Sequence, residues 1–128
     1  MGEDRKTGRL GDTLVLNVLE IAAYAAILAG GGQSFTCELK SDEVRCTNKL
    51  AAHETDEGIV FSGGILVIKG QDGSLSFSNG VTTKRGSAGW IAFSNGVQAR
   101  RMTDGSFRFS SGIECFEVVK EKAACAKR

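Results

Sequence analysis

Four cysteines, one histidine and a set of phenylalanines interleaved with lysine and arginine are the residues of this 128-residue chain with chemistry to offer. Cys37, Cys46, Cys115 and Cys125 allow several disulfide pairings, and none stands in a Cys-x-x-Cys pair that would nominate a zinc or dithiol redox site. His53 is the only histidine and lies in the polar stretch Ala51-Ala-His-Glu-Thr-Asp-Glu57 with no nucleophile or second ligand at a recognisable spacing. It reads as a solvated loop residue, and residues 51–57 as a connector. No paired-carboxylate pattern, nucleophile elbow or phosphate loop occurs, so neither an enzyme nor a metal or other cofactor is expected. What remains is binding chemistry. Lys84, Arg85, Arg100 and Arg101, spaced among Phe77, Phe93 and Phe109, would give a basic and aromatic face able to stack rings and pair with anions.

The cysteines carry the first structural inference. In Ser34-Phe-Thr-Cys37-Glu-Leu-Lys-Ser-Asp-Glu-Val-Arg-Cys46-Thr-Asn48, a hairpin turning at Ser41-Asp42 sets Leu39 against Val44, Glu38 against Arg45 and Thr36 against Thr47. Cys37 then faces Cys46 at a non-hydrogen-bonded position, where side chains approach most closely. Two apolar residues, opposite charges, two threonines and two cysteines all match, which predicts a hairpin over 34–48 and a Cys37–Cys46 disulfide. That pairing favours an extracytoplasmic or secreted location. Cys115 and Cys125 would tie the basic tail, residues 120–128, to the last strand.

Between Ile59 and Val119 one phrase returns at a fixed period of 16 residues: Phe61-Ser-Gly-Gly-Ile65, Phe77-Ser-Asn-Gly-Val81, Phe93-Ser-Asn-Gly-Val97 and Phe109-Ser-Ser-Gly-Ile113. Such a period marks repeated copies of one supersecondary unit. Apolar residues alternate with polar ones on both sides of each Asn-Gly or Ser-Gly turn, the signature of strands. Two architectures fit. In an antiparallel meander the Asn-Gly pairs are two-residue hairpin turns, with wider turns near Gly70–Gly73, Gly86–Gly89 and Thr103–Gly105. In a two-sided β-solenoid capped by the helix, each unit is a rung. The apolar columns (75, 77, 81, 83) share one parity, which favours the solenoid. The cation column Lys69, Arg85, Arg101 would stack like charges about 4.8 Å apart in a solenoid, which favours the meander. We take the meander as the leading expectation.

The glycine-punctuated run Phe93-Ser-Asn-Gly96, Thr103-Asp-Gly105, Phe107-x-Phe109-Ser resembles the repeats of centriole-assembly scaffold proteins, which form a free-standing antiparallel sheet. The chain lacks the prolines those repeats carry before their turns and adds a helix and cysteines, so the resemblance implies a sheet and nothing about partners.

Ahead of the sheet, residues 1–11 are charged and expected to be flexible, Asp12 is a candidate N-cap, and 13–29 read as a helix ended by Gly30-Gly31-Gly32. Thr13, Asn17, Glu20 and Tyr24 make one narrow polar stripe on an otherwise apolar surface. Such a helix is a buried core element, a signal or anchor that gives residues 14–29 a membrane role, or a face for a second copy. With no proline, 17 glycines and a net charge of +1, the whole chain reads as one α+β, mainly β domain, 1–128. The function expected is a non-enzymatic structural or protein-interaction domain, assembling with itself as a homo-oligomer or with another protein. The alternative is a polyanion- or glycan-binding β module using Lys84, Arg85, Phe93, Arg100 and Arg101.

Overall fold

A computed structural model describes residues 17–69 and 75–127. Among the described residues it contains one α-helix, α1 (Val18–Leu28), a short 3-10 turn over Ser87–Gly89 and twelve strands. The first six are β1 (Phe35–Lys40), β2 (Glu43–Cys46), β3 (Ala51–Glu54), β4 (Ile59–Phe61), β5 (Ile65–Lys69) and β6 (Leu75–Phe77). The second six are β7 (Thr83–Arg85), β8 (Trp90–Phe93), β9 (Gln98–Arg101), β10 (Phe107–Phe109), β11 (Ile113–Val119) and β12 (Lys122–Lys127). All pair antiparallel in a single sheet ordered β6-β5-β4-β3-β2-β1-β12-β11-β10-β9-β8-β7. The sheet is a meander except at one place, where β1 meets β12 through Phe35 opposite Cys125. Its two edges, β6 and β7, are consecutive in the chain, so the sheet curls back on itself and is nearly closed.

The helix fills the inside. Val18 and Ile21 through Ile27 are buried, with Ala22, Ala23 and Ala25 fully so. This explains why its sequence is apolar on most sides: a helix surrounded by a sheet needs no wide polar face. Its N-cap is Asn17, whose Oδ1 accepts from Leu19 N and Glu20 N at 3.0 and 3.2 Å. The proposed cap Asp12, and residues 13–16, lie outside the described residues. At the other end Gly31 N donates to Ala26 O at 2.8 Å and Gly30 N to Ile27 O at 3.1 Å. Both glycines have φ near +90° (92° and 80°), which makes this a Schellman stop of the kind the glycine run predicts.

The first hairpin has the expected register, Cys37 opposite Cys46, Glu38 opposite Arg45 and Leu39 opposite Val44. Thr47 N donates to Thr36 O, so the neighbouring cysteine pair is non-hydrogen-bonded, and its Cα atoms are 4.0 Å apart in the Cys37–Cys46 disulfide. A second cross-strand disulfide joins Cys115 to Cys125, also with Cα atoms 4.0 Å apart.

Three expectations are corrected. Residues 51–54 are a strand, not part of a connector, because Ala52 is needed in the core. The C-terminal segment is a strand rather than a tail: β12 lies between β1 and β11, and its Ala123 and Cys125 are buried beneath α1. Small side chains there let the helix approach the sheet closely.

The third correction concerns the turns. Phe61 pairs with Ile65 and Ile59 with Val67, and Phe93 N donates to Val97 O. The repeat turns therefore hold three residues, not two, with the last glycine at φ between +85° and +97° in all four copies (Gly64, Gly80, Gly96, Gly112). In the Asn-Gly and Ser-Gly copies that is the three-residue loop in which a left-handed residue follows a type I turn; in the first copy Gly63 also has positive φ, at 90°. An odd loop preserves parity, so Phe93 and Val97, or Phe109 and Ile113, all point inward. The parity that favoured a solenoid is satisfied by a meander. Of the wider turns, Gly86–Gly89 and Thr103–Gly105 form as expected, and Gly70–Gly73 lies outside the described residues.

Repeat turns also hold the helix. Asn95 Nδ2 donates to Ile27 O at 2.9 Å, and Ser111 Oγ donates to Gly31 O. The sheet is consequently not free-standing. Its second apolar column, Phe61, Phe77, Phe93 and Phe109, is buried around the helix, with the Phe77 and Phe93 rings in edge-to-face contact at 6.0 Å across β7.

Candidate functional site

Strand alternation decides which cations can work together. Ala99 is buried, so its neighbours Arg100 and Gln98 face outward. Register then builds two outer rows. Trp90 stands opposite Arg100, Arg100 opposite Arg108, and Arg108 opposite Glu114, one residue from each of β8 to β11. Lys84 stands opposite Ala92, and Ala92 opposite Gln98, while Ser110 N bonds Gln98 O at 3.0 Å beside them.

The result is an open trough of about 470 Å³ on the convex surface, bordered by Trp90, Gln98, Arg108, Ser110 and Glu114. Two guanidinium-bearing residues directly opposite each other on adjacent strands repel, at a cost of a few tenths to about 1 kcal/mol. No salt bridge to either is present among the described residues. Charge is also unevenly shared along the chain. Residues 75–112 hold five cations (Lys84, Arg85, Arg100, Arg101, Arg108) and one carboxylate (Asp104), while the whole chain has a net charge of +1.

The residues picked out from sequence are divided by this geometry. Lys84 and Arg100 lie on the outer rows. Arg85 and Arg101 have the opposite parity, opposite Ile91 and Phe107 respectively, at the end of the sheet near the helix N-terminus. Arg101 sits over the Phe107 ring, 5.0 Å from its centroid. Phe93 is a core residue. The face expected to join Lys84 and Arg100 with Phe77, Phe93 and Phe109 does not form, because those phenylalanines are buried and that grouping assumed two-residue turns. Trp90 and Arg108 are the residues the sequence reading missed. The register that would have found them follows from three-residue turns at both Gly96 and Gly105.

The polar stripe of the helix faces that same end. Tyr24 hydroxyl donates to Glu20 Oε2 at 3.0 Å, and Lys69 Nζ lies 3.4 Å from the same oxygen. Burial pushes the Tyr24 hydroxyl well above its ordinary pKa, Glu20's charge and hydrogen bond push the same way, and the Arg101 charge opposes them. His53 is exposed on β3 opposite Glu43, away from both sites.

No cluster of His, Cys, Asp and Glu suited to a metal occurs among the described residues. No described helix is long and apolar enough to cross a membrane. The arrangement offers a flat aromatic ring, two guanidinium groups, amide and hydroxyl groups and the Glu114 carboxylate, on adjacent strands and the turn at Ser110. No family model, curated protein or solved structure matches this chain.

Proposed function

We propose that this is a non-enzymatic binding module for acidic polysaccharides, acting through the convex face of β7 to β10. The observation that carries it is the Arg100–Arg108 pair, directly opposed on adjacent strands and flanked by Trp90. A carboxylated or sulfated sugar chain would relieve the repulsion and stack a ring on Trp90, while Gln98 and Ser110 serve its hydroxyls. The two disulfides fit a working place outside the reducing cytoplasm, where such polymers are met. The test is retention on immobilised heparin. The wild-type chain should bind and elute with salt, and the Arg100→Glu/Arg108→Glu variant should flow through, whereas Arg45→Glu, on the other half of the sheet, should elute like wild type. Retention unchanged in the double variant would refute the assignment, and preferential binding to single-stranded nucleic acid would redirect it.

Assembly with a second copy or another protein is the second reading. The apolar helix that suggested it is enclosed, and the edge strands β6 and β7 have three residues each, so neither motivates it now. What favours it is the pair Val118 and Val119, 49% and 59% exposed beside a bulge in β11. Sedimentation velocity across a wide concentration range tests it: a monomer throughout removes self-assembly.

A further inference from the structure

The four apolar columns of the repeat are not equally covered. Phe61, Phe77, Phe93 and Phe109 are at most 5% exposed. The column two residues before them, Ile59, Leu75, Ile91 and Phe107, is only half-buried. These residues ring the end of the sheet that holds the helix N-terminus, and the sheet there is wider than the helix fills. A cavity of about 260 Å³ opens between them, its helix side made by Ala23 and Ile27 and its sheet side by Leu75, Ile91, Phe93 and Phe107. Arg100 borders its edge from the outer row.

Its mouth is charged. Lys69 and Arg101 supply two cations and Glu20 one anion. Glu20 is occupied twice, by Lys69 at 3.4 Å and by the Tyr24 hydroxyl at 3.0 Å. Arg101 contacts the ring of Phe107, and no carboxylate pairs with it among the described residues. With Arg100 at the edge, the described residues of the mouth bring three cations and one anion, set above an apolar pocket near the lower end of small-ligand pocket sizes.

We infer that this cavity binds a single amphipathic monocarboxylate, a fatty-acid-like molecule whose tail lies against Leu75, Ile91 and Phe107 and whose head pairs with Arg101. A neutral head would forgo the charge-assisted pairing with Arg101. The guanidinium fork suits a carboxylate in two parallel hydrogen bonds. This site opens on the other face of the sheet from the outer trough, with Arg100 on the border of both.

The experiment is displacement of the fluorescent fatty acid cis-parinaric acid from the full chain, with dodecanoate and dodecanol as competitors below their micellar or solubility limits. Dodecanoate should displace the probe at one equivalent per chain, and dodecanol should bind about tenfold or more weakly, the effect of one lost charge-assisted pair. Arg101→Gln should weaken dodecanoate by a similar factor and leave dodecanol unchanged. Ile91→Trp should abolish binding of both by filling the pocket, with its thermal melt recorded alongside. Absence of displacement, equal affinity for acid and alcohol, or indifference of dodecanoate to Arg101→Gln would each overturn the inference. Because the Arg101 variant keeps the apolar lining, the outcome does not depend on the tryptophan variant folding.

Discussion

Deleting Asn95 should unfold the protein, while deleting Asn79 should not. The two residues occupy the same place in successive repeats, so sequence alone gives no reason to distinguish them. The structure does. Around Asn95 the strands on both sides belong to one ladder, with Phe93 N bonded to Val97 O and Ile91 opposite Ala99. Shortening that loop to two residues shifts β9 by one position against β8 and reverses its faces. Val97 and Ala99, 5% and 6% exposed, would turn outward, forfeiting roughly 2–3 kcal/mol of burial. Gln98 and Arg100 would turn inward, and a charge buried without its partner costs about 3–5 kcal/mol. The sum approaches the whole stability of a typical domain, about 5–15 kcal/mol. Around Asn79 no ladder joins β6 to β7, and each is registered by its other neighbour, Val67 opposite Phe77 and Thr83 opposite Phe93. Deletion there shortens a link without reversing a strand, and should cost about 1–2 kcal/mol, the scale of one or two lost hydrogen bonds. Asn95→Ala is the control for side-chain loss: it removes the bond to Ile27 O and the acceptor for Val97 N, again about 1–2 kcal/mol. Urea unfolding followed by tryptophan fluorescence and far-ultraviolet circular dichroism reads all three. A cooperative transition for the Asn95 deletion within about 1 kcal/mol of wild type would refute the reasoning, as would equal collapse of both deletions.

Two further outcomes follow from the interior. Each disulfide closes a loop with a sequence separation of 9 or 10, worth about 2.7 kcal/mol in the chain-entropy model. Cys115→Ala/Cys125→Ala should therefore lower the melting temperature by roughly 10 °C, and urea-unfolded, unreduced wild type should show no reactive thiol. Tyr24 is held neutral in the fold, with its pKa raised by burial and by Glu20. A raised folded-state pKa on a phenol leaves stability unaffected below the unfolded value near ~10 and removes it progressively as pH rises beyond that. Wild type should lose stability steeply above pH ~10, and Tyr24→Phe should flatten that part of its profile relative to wild type.

The chain announces its sheet clearly and its closure hardly at all. The first hairpin could be registered from four matched pairs because a disulfide, an ion pair and an apolar pair all demand the same alignment. The Phe columns were visible because the 16-residue period repeats them without interruption. Asn-Gly, by contrast, serves two- and three-residue loops alike, and that single residue decides which side chains share a face. It is why Lys84 and Arg100 were grouped with buried phenylalanines, and why Arg108 beside Arg100 went unseen. The last strand, Lys122-Ala-Ala-Cys-Ala-Lys127, has the residues of a helix or a tail by local propensity. Tertiary packing overrides that preference, since the small Ala123 and the disulfide-bonded Cys125 fit beneath a closely packed helix. Helix burial was readable from its narrow polar stripe, Asn17, Glu20 and Tyr24, but the encircling sheet that causes it was not.

Binding on the convex face is tested most directly by titrating the isotopically labelled full chain with a heparin-derived oligosaccharide and following backbone and Trp90 indole resonances. The structure predicts shifts concentrated at Lys84, Trp90, Gln98, Arg100, Arg108 and Ser110, weakening as salt is raised. Shifts centred on β2 to β4, or no shifts at low salt, would contradict it.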